Sequence, residues 1–304
     1  MKYKAIFSDF DGTLYRSDYT ISQTNNDAIR RYIEAGGHFI LATGRLFQSI
    51  LPKAKELGLR GDLICYQGAG VYDIETRKLK YSNFFEPSLA LEVADFLDER
   101  KELVGMAYVD DECCVQYKNP YTDKFAMVCQ IAYNVTGKTL HDFLLDSNPP
   151  MKLIALIDSE KAPKLVEEAR QKFGDRVVMC RSNPVIVEFL PVGINKGNAV
   201  REVCKMHDWS LDEVIAVGDS ENDISMIETA GLGIATANAF EVTKSKADFV
   251  SASNDDDAIA QIIYKFCLDE QSERRVVWKS IWKKNSPSRL SNSGSFARLV
   301  GSIS

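Results

Sequence analysis

Apolar and polar positions along this chain fall into blocks that predict, up to Tyr66, a strand, a helix, a strand, a helix and a strand. The run YKAIFS (3–8) is apolar and ends at an acidic, glycine-containing turn, as a buried parallel strand does. Ala28, Ile29, Tyr32 and Ile33 then recur at helical spacing, with Ser22 placed to cap the helix and Gly36 and Gly37 to stop it. The segment HFILA (38–42) ends at Thr43-Gly44-Arg45, and Ile50, Leu51, Ala54 and Leu57 mark another helix before the apolar run 63–66. This alternation predicts an α/β fold, a Rossmann-like parallel sheet joined by right-handed crossovers.

The rhythm changes after about Tyr72. Between Phe84 and Leu190, helices mix with what reads as antiparallel pairing. MKLIALID (151–158) is a strand, Leu165, Val166, Ala169 and Phe173 share a helical face, and VVMC (177–180) and VIVEF (185–189) flank the turn residues Ser182, Asn183 and Pro184. From Lys196 the first pattern resumes: a helix over 198–206, strand VIAVG (214–218), a helix over 223–230, strand LGIA (232–235) and a last helix through Ala258, Ile262 and Phe266. The predicted organisation is a core split between 1–84 and 191–270, an inserted α/β cap over 85–190, and a tail over 271–304.

Composition narrows the class. A chain of 304 residues is long enough for two packed domains at roughly 150 residues each, and 45% hydrophobic with 26% charged residues is ordinary for a globular protein. The net charge of −6 gives no general attraction for phosphate backbones, so a nucleic-acid partner is not expected. The apolar start is interrupted by Asp9 and Asp11 before a leader could be complete, and no run approaches the roughly 18 to 20 apolar residues of a membrane span. Seven scattered cysteines without a CxxC pair, and only three histidines, read as reduced thiols in a cytoplasm.

The tail is a separate object. Its 7 basic residues and 1 acidic residue, once removed, leave 30 basic against 42 acidic residues in positions 1–270, a net charge of −12. Arg275, Lys279 and Lys283 recur every four residues beside Val277, Trp278, Ile281 and Trp282, a pattern that suits a membrane-surface or docking helix. The serine-rich stretch after it has a composition that stays unfolded, and a mobile extension without membrane contact is the favoured expectation.

Four places carry candidate chemistry. Asp9 and Asp11 flank Phe10 where the first strand ends; residues two apart on extended chain point the same way, and strand carboxyl ends are where ligands bind in such sheets. Gly12 and Thr13 let the backbone turn and offer N–H groups to an anion, although turn chemistry alone also uses these residues. Thr43 and Gly44 repeat the arrangement after the second strand. Lys196 stands just before a helix start, where the helix dipole disfavours a cation, so it calls for an anionic partner. In VIAVGDSENDISM, Asp219, Glu221 and Asp223 crowd a strand end, more acids than helix capping needs, and oxygen-only ligands favour Mg²⁺.

Taken in order, FSDFDGTL, ATGR, NKG and GDSENDISM resemble the motifs of the haloacid dehalogenase (HAD) superfamily phosphatases, specifically Cof-like members with a type IIB α/β cap. The resemblance covers about residues 1–268 and puts the insertion between the second and third motifs, where that subfamily carries its cap. It implies a phosphatase for small phosphomonoesters, sugar phosphates and related metabolites, in which Asp9 forms an aspartyl-phosphate and Asp11 serves as general acid and base. It further implies Mg²⁺ held by the side chains of Asp9 and Asp219 and the Asp11 carbonyl, with Asp223 steadying the shell. The positions that hold the phosphoryl group would be Thr43, the Gly44 backbone, Lys196, Asn222 and the Phe10 N–H, with Arg45 at the substrate mouth.

Two segments depart from the family pattern: Gln67-Gly68-Ala69, where Asn-Gly-Ala is common, and Thr236-Ala237-Asn238-Ala239, where Met-Gly-Asn-Ala is common. A phosphomutase using the same intermediate, or a non-catalytic sensor of a phosphorylated metabolite, are the competing readings. The oligomeric state is not legible.

Overall fold

The computed structural model describes residues 2–268; the expectations for the tail lie outside the described residues. Its first half runs β1 (Ala5–Ser8), α1 (Gln23–Glu34), β2 (His38–Leu41), α2 (Phe47–Glu56), β3 (Asp62–Cys65), β4 (Gly70–Asp73) and β5 (Leu79–Ser82). The cap follows as α3 (Pro87–Asp98), β6 (Leu103–Val109), β7 (Glu112–Val115), α4 (Pro120–Cys129), β8 (Asn134–Val135), α5 (Leu140–Leu145), β9 (Lys152–Ile157), α6 (Ala162–Phe173), β10 (Val177–Asn183) and β11 (Ile186–Pro191). The core then closes with α7 (Lys196–Met206), β12 (Val214–Gly218), α8 (Ile224–Ile227), β13 (Leu232–Ala235), α9 (Glu241–Lys244), β14 (Phe249–Val250) and α10 (Ala258–Phe266).

The core sheet is five-stranded and parallel, in the order β14-β13-β12-β1-β2. β1 lies between β12 and β2 and is buried along its whole length, as its unbroken apolar run requires. Its register sets Ser8 beside both Val217 of β12 and Leu41 of β2. The three strands therefore end within one residue of each other, and Asp9, Asp219 and Thr43, one or two residues beyond them, emerge together at their carboxyl ends. Helices α1 and α10 pack together beside the sheet. Ser22 caps α1 by accepting the Asn25 N–H at 3.0 Å, and the Ala260 N–H on α10 donates to the buried Asn25 side chain at 2.9 Å.

Three expectations about elements need correcting. The run after α2 does not extend the parallel sheet as a full strand: β3 touches it through a single bridge, Ala42 to Ile64, and pairs antiparallel with β4 in a three-stranded sheet β3-β4-β5. The left-handed backbone at Tyr66 and Gln67 turns the chain straight back, which makes that hairpin possible. The helix expected over 223–230 is a single 3₁₀ turn at Glu221–Asp223 followed by the short α8; Asp223 Oδ2 accepts the backbone N–H groups of the loop before it, and past α8 the Gly231 N–H is already bonded to the Leu211 carbonyl. Finally, α7 begins at Lys196, two residues earlier than expected, because Asn195 is its cap and accepts the Asn198 N–H at 2.8 Å.

The cap is a six-stranded mixed sheet, β10-β11-β9-β6-β7-β8, inserted between the halves of the core. Its strands alternate sides with period two. Leu153, Ala155 and Ile157 of β9, with Val187 and Phe189 of β11, pack under α3, α5 and α6 against Phe96, Leu140 and Phe173. Burial of each such large apolar side chain contributes about 1.5–3 kcal/mol. The intervening Lys152, Ile154, Ile186 and Glu188 line the space over the carboxyl ends of the core strands. Two residues that read as parts of apolar cap strands, Lys152 and Glu188, thus face the core.

Candidate active site

Asp9 leaves β1 with its backbone still paired, N–H to the Val217 carbonyl at 2.9 Å, so its side chain is fixed at the sheet edge and is 7% exposed. Its Oδ1 accepts from Lys196 Nζ at 2.5 Å, and Lys196 also donates to Asp223 Oδ1 at 2.6 Å. Lys196 is fully buried. Burial alone would push its ammonium toward the neutral form, but Asp223 and Asp9 outweigh that and raise its pKa above the ordinary lysine value. The anionic partner that the sequence called for is thus a pair of carboxylates.

Asp223 uses its other oxygen, Oδ2, to accept the backbone N–H groups of Asp219 and Ser220, both at 2.9 Å, which fixes the loop after β12. Asp219 is held by Thr13, whose hydroxyl donates to Oδ1 at 2.7 Å, and by Ser220, whose hydroxyl donates to Oδ2 at 2.9 Å. Burial, then the charge of Asp223, raises the Asp219 carboxyl pKa, while Thr13, Ser220 and Lys196 oppose. Burial also raises that of Asp9; Lys196 opposes, and Asp223, Asp219 and Asp11 add to it.

One carboxylate oxygen from each of Asp9, Asp219 and Asp223 lies within 4.8 Å of the others. Three carboxylates against one ammonium leave two formal negative charges, and every donor is oxygen. This set fits a hard divalent cation such as Mg²⁺. Glu221, the third acid of the loop, lies on the exposed side of its turn and outside this cluster.

The remaining candidates surround this centre. Phe10 is fully buried, with its ring stacked on Tyr15 at 4.6 Å between centroids and the Arg45 guanidinium 5.1 Å from its centre. Thr43 is buried, and its hydroxyl accepts the Arg45 N–H at 3.2 Å. Asp11 is half exposed, and Arg45 grips both its oxygens, Nε to Oδ2 at 2.8 Å and Nη2 to Oδ1 at 2.7 Å. Arg45 also reaches the cap, with Nη1 donating to the Cys129 carbonyl at 3.5 Å. Asp9, Asp11, Thr43, Gly44, Arg45 and Asn222 all line one chamber of about 290 Å³ roofed by Tyr108, Phe125, Lys152 and Glu188 of the cap.

Sequence reasoning missed several residues of this chamber. Lys152 and Glu188 form a buried ion pair at 2.5 Å, and both sat inside apolar strand patterns whose alternation was the available signal. Gln67 was noted only as a departure, yet it bonds both Glu188 and Asn222, each at 2.9 Å. Asn238 of the other unusual segment donates to the Gly12 carbonyl at 2.8 Å and so ties that loop to the turn after Asp11.

A family profile for haloacid dehalogenase-like hydrolases matches residues 6–263, and the chain belongs to that family. A Haemophilus influenzae protein named as a phosphatase is 31% identical over 264 residues, 86% of this chain and 98% of its own. The pyridoxal phosphate phosphatase YbhA of Escherichia coli is 27% identical over 88% of this chain and all of its own length. Among solved structures, a haloacid dehalogenase-like hydrolase of Bacteroides thetaiotaomicron superposes with a TM-score of 0.78 at 30% identity, covering 86% of this chain and 99% of that one. The expected family, the parallel core and the inserted α/β cap are all found. The chain is thus a haloacid dehalogenase-like hydrolase with relatives that are named as phosphatases.

Proposed function

We propose that this chain is a Mg²⁺-dependent phosphomonoesterase that works through an aspartyl-phosphate on Asp9. The observation that carries the reading is the buried Lys196 ammonium bridging Asp9 and Asp223 at 2.5 and 2.6 Å, beside Asp219. A nucleophilic carboxylate has to approach a negatively charged phosphoryl group, and this arrangement lessens that repulsion. Asp9 and Asp219 with the Asp11 carbonyl would hold the metal, and Asp223 would orient Asp219 and Lys196. When bound, the metal supplies further positive charge to nucleophile and phosphoryl oxygens.

In the first step an Asp9 oxygen bonds to phosphorus as the ester P–O bond breaks, and the departing oxygen takes a proton from Asp11. In the second, water attacks that phosphorus, Asp11 accepts its proton, and inorganic phosphate leaves with Asp9 restored. For either step Asp11 turns from Arg45 toward the reacting oxygen. Thr43, the Gly44 and Phe10 backbone, Lys196 and Asn222 stabilise the charge spreading over the transferring group. Residues 85–190 form the cap that screens the reaction from bulk water, and Arg45 stands at the mouth, in contact with both parts.

The substrate is a small phosphorylated metabolite, in keeping with relatives named for pyridoxal phosphate and for a phosphoribitylamino-uracil. The cytoplasm suits the chain, whose seven cysteines are all free thiols. No helix among the described residues is long and apolar enough to cross a membrane. A phosphate-release screen with Mg²⁺ across sugar phosphates, pyridoxal phosphate and nucleotides tests the reading. Release is expected from at least one ester, and it should vanish with EDTA or in Asp9→Asn. Full activity in either condition would overturn the mechanism.

A further inference from the structure

The cap carries two buried charges that the proposed reaction does not use. Lys152 and Glu188 are 2% and 3% exposed, on the face of the cap sheet that meets the core. Buried charges are costly unless every polar atom finds a partner, and these find theirs across the boundary with the core. Lys152 Nζ donates to Glu188 Oε1 at 2.5 Å and to the core's Gly44 carbonyl at 2.8 Å. Glu188 Oε2 accepts from Gln67 Nε2 of the core at 2.9 Å, and Gln67 Oε1 accepts from Asn222 Nδ2 at 2.9 Å.

Gln67 occupies an uncommon backbone position. Its φ of 60° lies in the left-handed region, directly after Tyr66 at 55°. Such positions persist where the surroundings demand them, and they cluster at functional sites. Here the demand is visible: the backbone turn lays the Gln67 side chain over Gly44, where an added Cβ would come within 2.4 Å of Nε2. The amide is 3% exposed and has both ends bonded, one to the cap and one to Asn222.

We propose that Gln67 is a positioning residue that couples Glu188 of the cap to Asn222 of the core, so that the Asn222 amide is set for phosphate only while the cap lies on the core. The inference rests on the assignment of Asn222 to the phosphoryl group under the proposed function. A chain of two hydrogen bonds, each dependent on the other's geometry, is enough to carry the coupling. Asparagine in place of Gln67 is one methylene shorter and cannot hold both bonds from the same backbone position, although it tolerates the left-handed backbone better.

The test is calorimetric binding of inorganic phosphate, with Mg²⁺ present, to the full chain and to Gln67→Ala, Gln67→Asn, Glu188→Gln and the Gln67→Ala/Glu188→Gln double variant. Each single change should weaken phosphate binding about five- to tenfold, the loss expected for one hydrogen bond. The double variant should be no weaker than the worse single, because both interrupt one chain. Because asparagine can hold one of the two bonds, Gln67→Asn should unfold nearer the parent's midpoint than Gln67→Ala does while losing as much phosphate affinity, a separation that a merely structural role would not produce. Unchanged phosphate affinity in both Gln67 variants, or additive losses in the double, would overturn the coupling. Phosphate binding by the parent without turnover of any ester would overturn the phosphatase reading alone, and no binding by the parent would overturn both.

Discussion

Lys196 Nζ and Asp9 Oδ1 lie 2.5 Å apart although 187 residues separate them in the chain. The end of β1 supplies one and the first residue of α7 the other, and the whole cap is threaded between them. Asp223 and Asp9 favour the charged lysine against its complete burial, which makes it a fixed positive charge beside the proposed nucleophile. Lys196→Met should lower kcat on p-nitrophenyl phosphate by about 10²–10³-fold, the usual loss when one preorganised donor is removed. Lys196→Arg should not restore it, since no space surrounds the fully buried side chain for a larger, planar head. Steady-state kinetics of both variants, with circular dichroism to check folding, measures this; rescue by arginine would contradict it.

Asp11 and Asp9 make separable predictions. With p-nitrophenyl phosphate the leaving group needs little protonation, so Asp11→Asn should still phosphorylate Asp9 but hydrolyse the intermediate slowly. Rapid mixing should then give a burst of about one p-nitrophenol per chain followed by turnover reduced about 10²–10⁴-fold. Asp9→Asn should give no burst. A burst in the Asp9 variant would remove it as nucleophile.

Asp219 links function to stability. Burial and Asp223 raise its folded-state pKa, so folding costs more with this carboxyl ionised than with it protonated. The protonated form's advantage is present below the ordinary carboxyl value and is lost as pH rises through the raised one, leaving the metal-free protein penalised at neutral pH. Asp219→Asn should therefore raise the thermal midpoint in EDTA by a few degrees, about 1 kcal/mol, while abolishing activity. Mg²⁺ should raise the parent's midpoint by mass action and the variant's much less. Scanning calorimetry with and without chelator decides it, and an unshifted or lower variant midpoint in EDTA would contradict the argument.

Much of the core was legible because its signals are local. At β1 an apolar run closes on Asp-x-Asp-Gly-Thr, which marks both a strand and its carboxyl end, and β2, β12 and β13 are likewise apolar runs closed by polar or small turn residues. The cap face was not legible for a physical reason. Lys152 and Glu188 are single charges in strands buried on both faces, and only the tertiary position of the core opposite says why they are tolerated. β3 misled because an apolar run looks the same in a parallel sheet and in a buried hairpin, and the deciding residues, Tyr66 and Gln67, are not ones that announce a left-handed turn.

Gly12 gives the sharpest test of how the turn after Asp11 builds the centre. Its φ of +80° lies where non-glycine residues are strained, and a Cβ there would stand 2.8 Å from Asp219 Oδ2. Gly12→Ala therefore meets both a backbone penalty and a contact on a candidate metal ligand, and it should destabilise the protein by about 1–3 kcal/mol. Asn238 holds the same turn from the other side through the Gly12 carbonyl, and its own Oδ1 accepts the Asn254 N–H at 3.0 Å. Asn238→Ala removes those bonds without touching Asp219. It should cost about 1 kcal/mol in denaturant unfolding, and the Mg²⁺ concentration for half-maximal activity should stay near the parent's. Gly12→Ala should raise that concentration as well as lower stability. If both variants move the Mg²⁺ requirement equally, the turn acts through general loosening, and the steric claim on Asp219 is wrong.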